Sequence, residues 1–271
     1  MPELPEVETI RKGIAPFVTG ETVSDIIVRE RRLRWPVSVQ LRSKLIGKTI
    51  RSITRRAKYI IFNTDHGCML IHLGMSGSLR IITGNRPPEK HDHIDIEFTS
   101  GISLRFHDPR RFGSIHWTNG DPMQHKLLHH LGREPLDNEF DGNYLFMKSR
   151  KRTQSVKSFL MDSRIVTGVG NIYANEALFT AGIRPQLRAG NISKARYEKL
   201  ASAIKLVLQQ ALARGGTTLR DFVNSEGEPG YFRTELKVYD RAGEACVRCK
   251  TIIKKLRTGQ RSTFYCPTCQ R

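Results

Sequence analysis

Removal of Met1, which is usual before a small residue, would expose a proline secondary amine at Pro2 beside the carboxylate of Glu3. An ordinary α-amino group has a pKa of about 7.7–8.0 against about 10.4 for lysine, so far more of it is free base near neutrality. Such an amine can attack a sugar or carbonyl carbon to give an imine, with Glu3 shuttling the proton. The same residues also suit a helix start. Pro5 fits the first turn, Glu6 and Glu8 face its positive end, and Val7, Ile10 and Ile14 share one side. The two readings are compatible.

A second constellation lies at the other end of the chain. Cys246 and Cys249 form one Cys-x-x-Cys knuckle and Cys266 and Cys269 another, with sixteen residues between them. That spacing suits four thiolates around one structural zinc, with no position left for a reactive water. A redox dithiol pair is the alternative. From Ala245 to Arg271 there are seven Lys or Arg and no Asp or Glu, which implies contact with nucleic acid. Arg261 would sit at a hairpin tip between the knuckles, aimed at a phosphate or a reacting centre, or simply solvated.

Three further groups could meet DNA. Lys148, Arg150, Lys151, Arg152 and Lys157 form an acid-free basic stretch, followed by the glycine-punctuated turn Gly168-Val169-Gly170-Asn171. Its backbone N–H groups would suit a phosphate, or the turn would be a plain helix start capped by asparagine. His72-Leu73-Gly74-Met75 and Asp108-Pro109-Arg110-Arg111-Phe112 each follow a strand. Met75 and Phe112 could wedge between bases while Arg110 fills a vacated position, or they could pack in a core. In the run from Arg55 to Tyr59, strand alternation would put Arg56 and Lys58 on one face.

The elements that must position these groups change period midway. Short apolar or alternating runs at 23–28, 49–53, 59–62, 68–73, 78–82, 94–98, 102–106 and 114–117 predict an antiparallel sandwich or barrel behind one leading helix. Helical patterns follow at 124–131, 142–150, 155–162, 172–181 and 193–214. In the last, Ser193 caps the start, Leu200, Ile204, Val207, Leu208 and Leu212 supply the apolar face, and Gly215-Gly216 ends it. Cys68, in an apolar run, reads as a small buried hydrophobe.

Lys plus Arg number 45 against 26 Asp plus Glu, giving a net charge of +19 that implies a polyanionic partner. No apolar run approaches the ~18 residues of a membrane span, and the start lacks a secretion signal. The expectation is a soluble intracellular protein.

Together these segments resemble the bacterial formamidopyrimidine-DNA glycosylase family. The blocks are PELPEVE at 2–8, RRAKY at 55–59, HLGMSGSLR at 72–80, EKHDH at 89–93, DPRRFG at 108–113, GVGNIYANE at 168–176, PGYF at 229–232 and the four-cysteine finger. The run Arg150-Lys151-Arg152 departs from the lysine run of relatives. The resemblance implies an α+β multidomain chain: an N-terminal antiparallel β-sandwich with a leading helix (1–133), a helix-two-turn-helix domain with a loop capping the lesion (134–236), and a C-terminal β-hairpin zinc finger (237–271). DNA would lie in the cleft between the halves.

It implies that Pro2 forms a Schiff base at C1′ of an oxidised purine nucleoside and that Glu3 serves base departure and ring opening. Lys58 would contact the flanking phosphate and assist β-elimination; Arg261 would grip phosphate beside the lesion and assist δ-elimination. His91, Arg110, Arg152 and Asn171 match DNA-contacting positions, and Met75, Arg110 and Phe112 match the trio that fills the hole left by the flipped nucleotide. Residues 217–231 correspond to the loop over the extruded base. One structural Zn2+ is the only cofactor implied. The partner is double-stranded DNA containing oxidised purines, the chain acting as a cytoplasmic, nucleoid-associated monomer. Endonuclease VIII-type glycosylases share the fold and the proline, but Leu4 and the HLGMSG block favour the purine branch. A non-catalytic zinc-ribbon binding protein would explain the charge and cysteines but not the Pro2-Glu3 start.

Overall fold

A computed structural model describes residues 2–215 and 236–271. The expected capping loop at 217–231 and the PGYF block lie outside the described residues. By internal contact the described residues form two compact units, one running to His129 and one containing His130–Arg214 and the residues from 236 onward.

The first unit begins with helix α1 (Leu4–Val18), which starts at Glu3 with a proline in its first turn and buries Leu4, Val7, Ile10, Ile14 and Val18. Those positions recur every three or four residues, so one stripe faces inward. Eight strands follow: β1 (Val23–Val28), β2 (Ser52–Arg56), β3 (Tyr59–Thr64), β4 (Gly67–His72), β5 (Ser78–Ile82), β6 (Asp92–Phe98), β7 (Ser103–His107) and β8 (Ser114–Thr118). They form two antiparallel sheets, ordered β1-β6-β7-β5 and β2-β3-β4-β8. Ile60, Phe62, Met69 and Ile71 from one sheet share a core with Ile94, Ile96, Leu104 and Phe106 from the other, and α1 joins it through Val7, Ile10 and Ile14. Eight strands occur as the sequence predicts, the second displaced from 49–53 to Ser52–Arg56. The sequence did not suggest the short helix α2 (Leu41–Leu45), because five residues are too few to display a period.

The helix expected at 124–131 is absent. Asp121 caps a single 3-10 turn at Pro122–Gln124 by accepting from the Met123 N–H at 2.9 Å. Leu128 is the only fully buried residue of 124–131. With only Leu128 of its three leucines buried, a helix there would gain too little to offset its nucleation cost.

The second unit holds α3 (Gly142–Ser149), α4 (Val156–Leu160), α5 (Asn171–Thr180) and α6 (Lys194–Ala213), then the hairpin β9 (Lys254–Thr258) and β10 (Arg261–Tyr265). Asp141, Ser155 and Ser193 cap α3, α4 and α6 through their side-chain oxygens. Helix α5 is buried all round from Ile172 to Phe179, as a central helix must be. Among the described residues no helix is long and apolar enough to cross a membrane.

Candidate active site and metal centre

Pro2 and Glu3 are both buried. Glu3 is the N-cap of α1 in a reciprocal capping box, its backbone N–H donating to the Glu6 carboxylate at 2.8 Å. One turn on, Glu8 accepts from Arg11 at 2.7 Å and from Arg55 at 3.1 Å. Burial raises the Glu8 pKa, but the two guanidiniums outweigh it and hold the carboxyl below its ordinary value. Arg55 also donates to Ala57 O at 2.9 Å, so α1 is tied to the β2–β3 hairpin.

The two residues at the tip of that hairpin are Ala57 and Lys58, because Arg56 already pairs with Tyr59. Ala57 has φ 54°, a left-handed conformation that strains a residue with a Cβ by about 1–2 kcal/mol. Lys58 therefore leaves from a turn, and the strand alternation that would pair it with Arg56 does not apply. Nearby, burial first and then the charges of Lys58 and Arg34 push His72 down to about 3. Neutral His72 accepts the Gly74 N–H on Nδ1 at 3.0 Å, which leaves its proton on Nε2.

The turns carrying Met75 and Phe112 touch. A Cβ on Gly74, which has φ 68°, would lie 2.3 Å from the Phe112 carbonyl carbon and 2.5 Å from Gly113 N. Beneath them lies Asp108, fully buried. Its carboxylate accepts from the Ser76 hydroxyl and from the Gly113 N–H, both at 2.7 Å. Ser76 Oγ in turn accepts the Arg110 N–H at 3.3 Å, and the Asp108 N–H donates to His91 O at 3.1 Å. Phe112 is 43% exposed with the Arg110 guanidinium 4.9 Å over its ring, and Met75 is half-buried. Phe112 is thus not core. His91 sits at φ 81° with its ring 6.1 Å from those of His93 and His107.

Gly74→Ala is expected to destabilise the first unit by about 3 kcal/mol or more, since backbone clash and a left-handed φ combine. Urea denaturation measures it, and a loss below about 1 kcal/mol would mean that the turns do not pack as described.

In the second unit, Gly170 rather than Asn171 is the N-cap of α5, and Asn171 is the first helical residue. The Asn171 Oδ1 is buried with no hydrogen-bond partner among the described residues. A buried acceptor of this kind needs a donor, such as a water, to satisfy it. Arg152 and Arg261 are exposed; Arg261 opens β10 after the two-residue turn Gly259-Gln260.

Two residues of the basic stretch are engaged by the protein itself, Arg150 half-buried and Lys157 fully buried. The Arg150 guanidinium lies 4.0 Å over the Phe146 ring and donates to Ile192 O at 2.9 Å. Lys157 is 1% exposed. Both charges are spent on packing, so the run is less of a phosphate surface than its composition suggests. Pro2, Glu3, Lys58, Met75, His91, Arg110 and Phe112 belong to the first unit. Arg152, Asn171, Arg261 and the four knuckle cysteines belong to the second.

The sulfurs of Cys246, Cys249, Cys266 and Cys269 all lie within 4.8 Å of one another, with Cys249 to Cys266 at 3.5 Å and Cys246 to Cys269 at 3.9 Å. Four sulfurs tetrahedral at about 2.3 Å from zinc would be about 3.8 Å apart, so the donor set fits one structural Zn2+. Burial and the neighbouring sulfurs raise the pKa of the Cys269 thiol, while contacts with Thr251 and with the Cys269 and Cys266 sulfurs lower that of Cys249; four thiolates this close need a cation between them. Zinc would cross-link the two knuckles. Cys246 and Cys266 pack with Phe179, Val238, Ile253 and Phe264, Asn175 accepts the Phe264 N–H at 2.9 Å, and Glu176 accepts the N–H groups of Lys237, Val238 and Tyr239. The finger is therefore built onto α5. Asn175 and Glu176 lie in the GVGNIYANE block, yet nothing in their types predicted this anchoring.

Family descriptions match in chain order: Formamidopyrimidine-DNA glycosylase N-terminal domain at residues 1–115, Formamidopyrimidine-DNA glycosylase H2TH domain at 131–223, and Zinc finger found in FPG and IleRS at 243–271. The chain is 55% identical to the formamidopyrimidine-DNA glycosylase of Alkalilimnicola ehrlichii, covering 100% of both. A Lactococcus lactis Fpg variant bound to Fapy-dG-containing DNA superposes with TM-score 0.92 at 35% identity over 100% of both chains. MutM in complex with carbocyclic 8-oxo-G-containing DNA gives TM-score 0.91 at 35% identity, again over 100% of both. The N-terminal sandwich, the helical unit and the four-cysteine hairpin thus occur in the order this likeness requires, and the chain belongs to the formamidopyrimidine-DNA glycosylase family.

Proposed function

We propose that the protein excises oxidised purines, 8-oxoguanine and formamidopyrimidines, from duplex DNA and then cuts the strand at the abasic site. The observation that carries this reading is the end-to-end likeness to glycosylases whose bound DNA contains those lesions. With Met1 removed, Pro2 N attacks C1′ and loses its proton while the base leaves, protonated through Glu3. Glu3 then protonates O4′ as the C1′–O4′ bond breaks, giving an iminium between C1′ and Pro2. This cation acidifies the C2′ proton. Its loss expels the 3′ phosphate in β-elimination, assisted by Lys58, and a second elimination expels the 5′ phosphate with Arg261 on that phosphate. Water hydrolyses the remaining imine and frees the amine.

The remaining residues bind and position. His91, Arg110, Arg152 and Asn171 hold the DNA backbone, each through its N–H donors. Met75, Arg110 and Phe112 fill the space left by the extruded nucleotide. The net charge of +19 supplies sequence-independent affinity, while choice of lesion resides in the pocket.

Borohydride trapping on duplexes differing only in the damaged base tests the reading. A covalent adduct on oxidised-guanine DNA that vanishes in Pro2→Gly is expected. Intact binding with no adduct would leave a binding module only, and preference for oxidised pyrimidine would move the protein to the endonuclease VIII branch.

A further inference from the structure

Lys157 stands apart from Arg152 and Arg261, which are exposed, in being 1% exposed. Its ammonium donates to Ser262 O at 2.7 Å and to Thr263 Oγ1 at 2.8 Å. The Thr263 hydroxyl, also fully buried, passes a hydrogen bond on to Thr258 Oγ1 at 2.8 Å. Ser262 and Thr263 directly follow Arg261, and Thr258 is the cross-strand partner of Arg261. One interior cation on α4 therefore holds β10 directly, and β9 through the Thr263 hydroxyl, at the base of the turn from which Arg261 emerges.

The turn itself is short and stiff. Gly259, at φ 58°, takes the first of its two positions, where a II′ hairpin places glycine. An ammonium removed from water must keep its acceptors, so sliding or tilting the hairpin would strand a buried charge. A cavity of about 220 Å³ lined by Lys157, Ser158, Met161, Thr258, Gln260 and Arg261 lies along this contact.

We propose that Lys157 is a positioning residue for Arg261: it sets the height and direction of the hairpin tip so that the guanidinium meets the phosphate beside the lesion. This rests on the role given above to Arg261. The test compares Lys157→Met, Thr263→Val, Arg261→Ala and the Lys157→Met/Arg261→Ala double variant on abasic-site DNA. The readouts are the ratio of δ- to β-elimination product, the yield of borohydride-trapped adduct, and bound zinc.

Arg261→Ala and Lys157→Met are each expected to lower the δ share by about tenfold or more, as small misplacements of a reacting group do. Any fall in trapping at Pro2 should be no larger in Lys157→Met than in Arg261→Ala, and the double variant should be no worse than Arg261→Ala alone. Thr263→Val, which removes one acceptor and keeps the side-chain size, should give a smaller loss in the same ratio and carries the test if Lys157→Met loses its zinc. An unchanged ratio in Arg261→Ala would overturn the role of Arg261 and the positioning of it together. A defective Arg261→Ala beside a normal Thr263→Val and a normal Lys157→Met would overturn the positioning alone. So would losses that add in the double variant.

Discussion

Glu3→Gln is expected to lower the single-turnover rate of base excision by about 10²–10⁴-fold, the usual worth of a placed general acid or base. The structure sharpens this experiment, because Glu3 has a second task as the cap of α1. Truncation to alanine would remove the cap and cost about 1 kcal/mol, confounding chemistry with stability. Glutamine still offers a side-chain oxygen for the cap and deletes only the ionisable proton. Folding should therefore be unchanged, and DNA affinity should hold or rise slightly as one negative charge leaves a protein of net charge +19. Thermal melting, equilibrium binding to lesion DNA and excision under single-turnover conditions give the three readings. Excision by the variant at the parent rate would remove Glu3 from the mechanism.

Zinc removal, or Cys249→Ser, is expected to disturb far more than the finger. The knuckle cysteines share a core with Phe179 of α5, while Asn175 and Glu176 of the same helix hold β10 and residues 237–239. Structural zinc contributes apparent binding energies of about 10–16 kcal/mol in small fingers, most of it as folding energy. Without the ion, four buried or half-buried thiols and their apolar neighbours lose their reason to stay together. Amide exchange should rise at α5 as well as at β9 and β10, with DNA affinity falling because Asn171 sits at the start of α5. Retained protection of α5 with exchange confined to the finger would show that the helix holds its own fold. Retained DNA affinity in the zinc-free protein would separate the finger from binding.

Much of the architecture was legible because it is written in local periods. The eight strands show alternating or short apolar runs, and α6 shows a capping serine, a three-to-four-residue stripe and a terminal glycine. The knuckle spacing announces the metal site by itself. Where the period is missing or false, the reading failed: α2 is too short to show one, and 124–131 shows one that buries only Leu128. The basic stretch misled for a related reason. Arg150 and Lys157 look like surface charges, but each finds acceptors inside the second unit.

The sequence by itself marked the groups to which the proposed chemistry is assigned: the imino acid and carboxylate at positions 2 and 3, the four thiols, and the excess of positive charge. Only the tertiary structure decided what holds them. Glu8 meets Arg55 across 47 positions, Ser76 meets Asp108 across 32, and Lys157 meets Ser262 across 105. None of these partners is implied by residue type or spacing. A buried polar side chain is tolerated only when a complementary group is delivered to it, and that delivery depends on how distant segments pack.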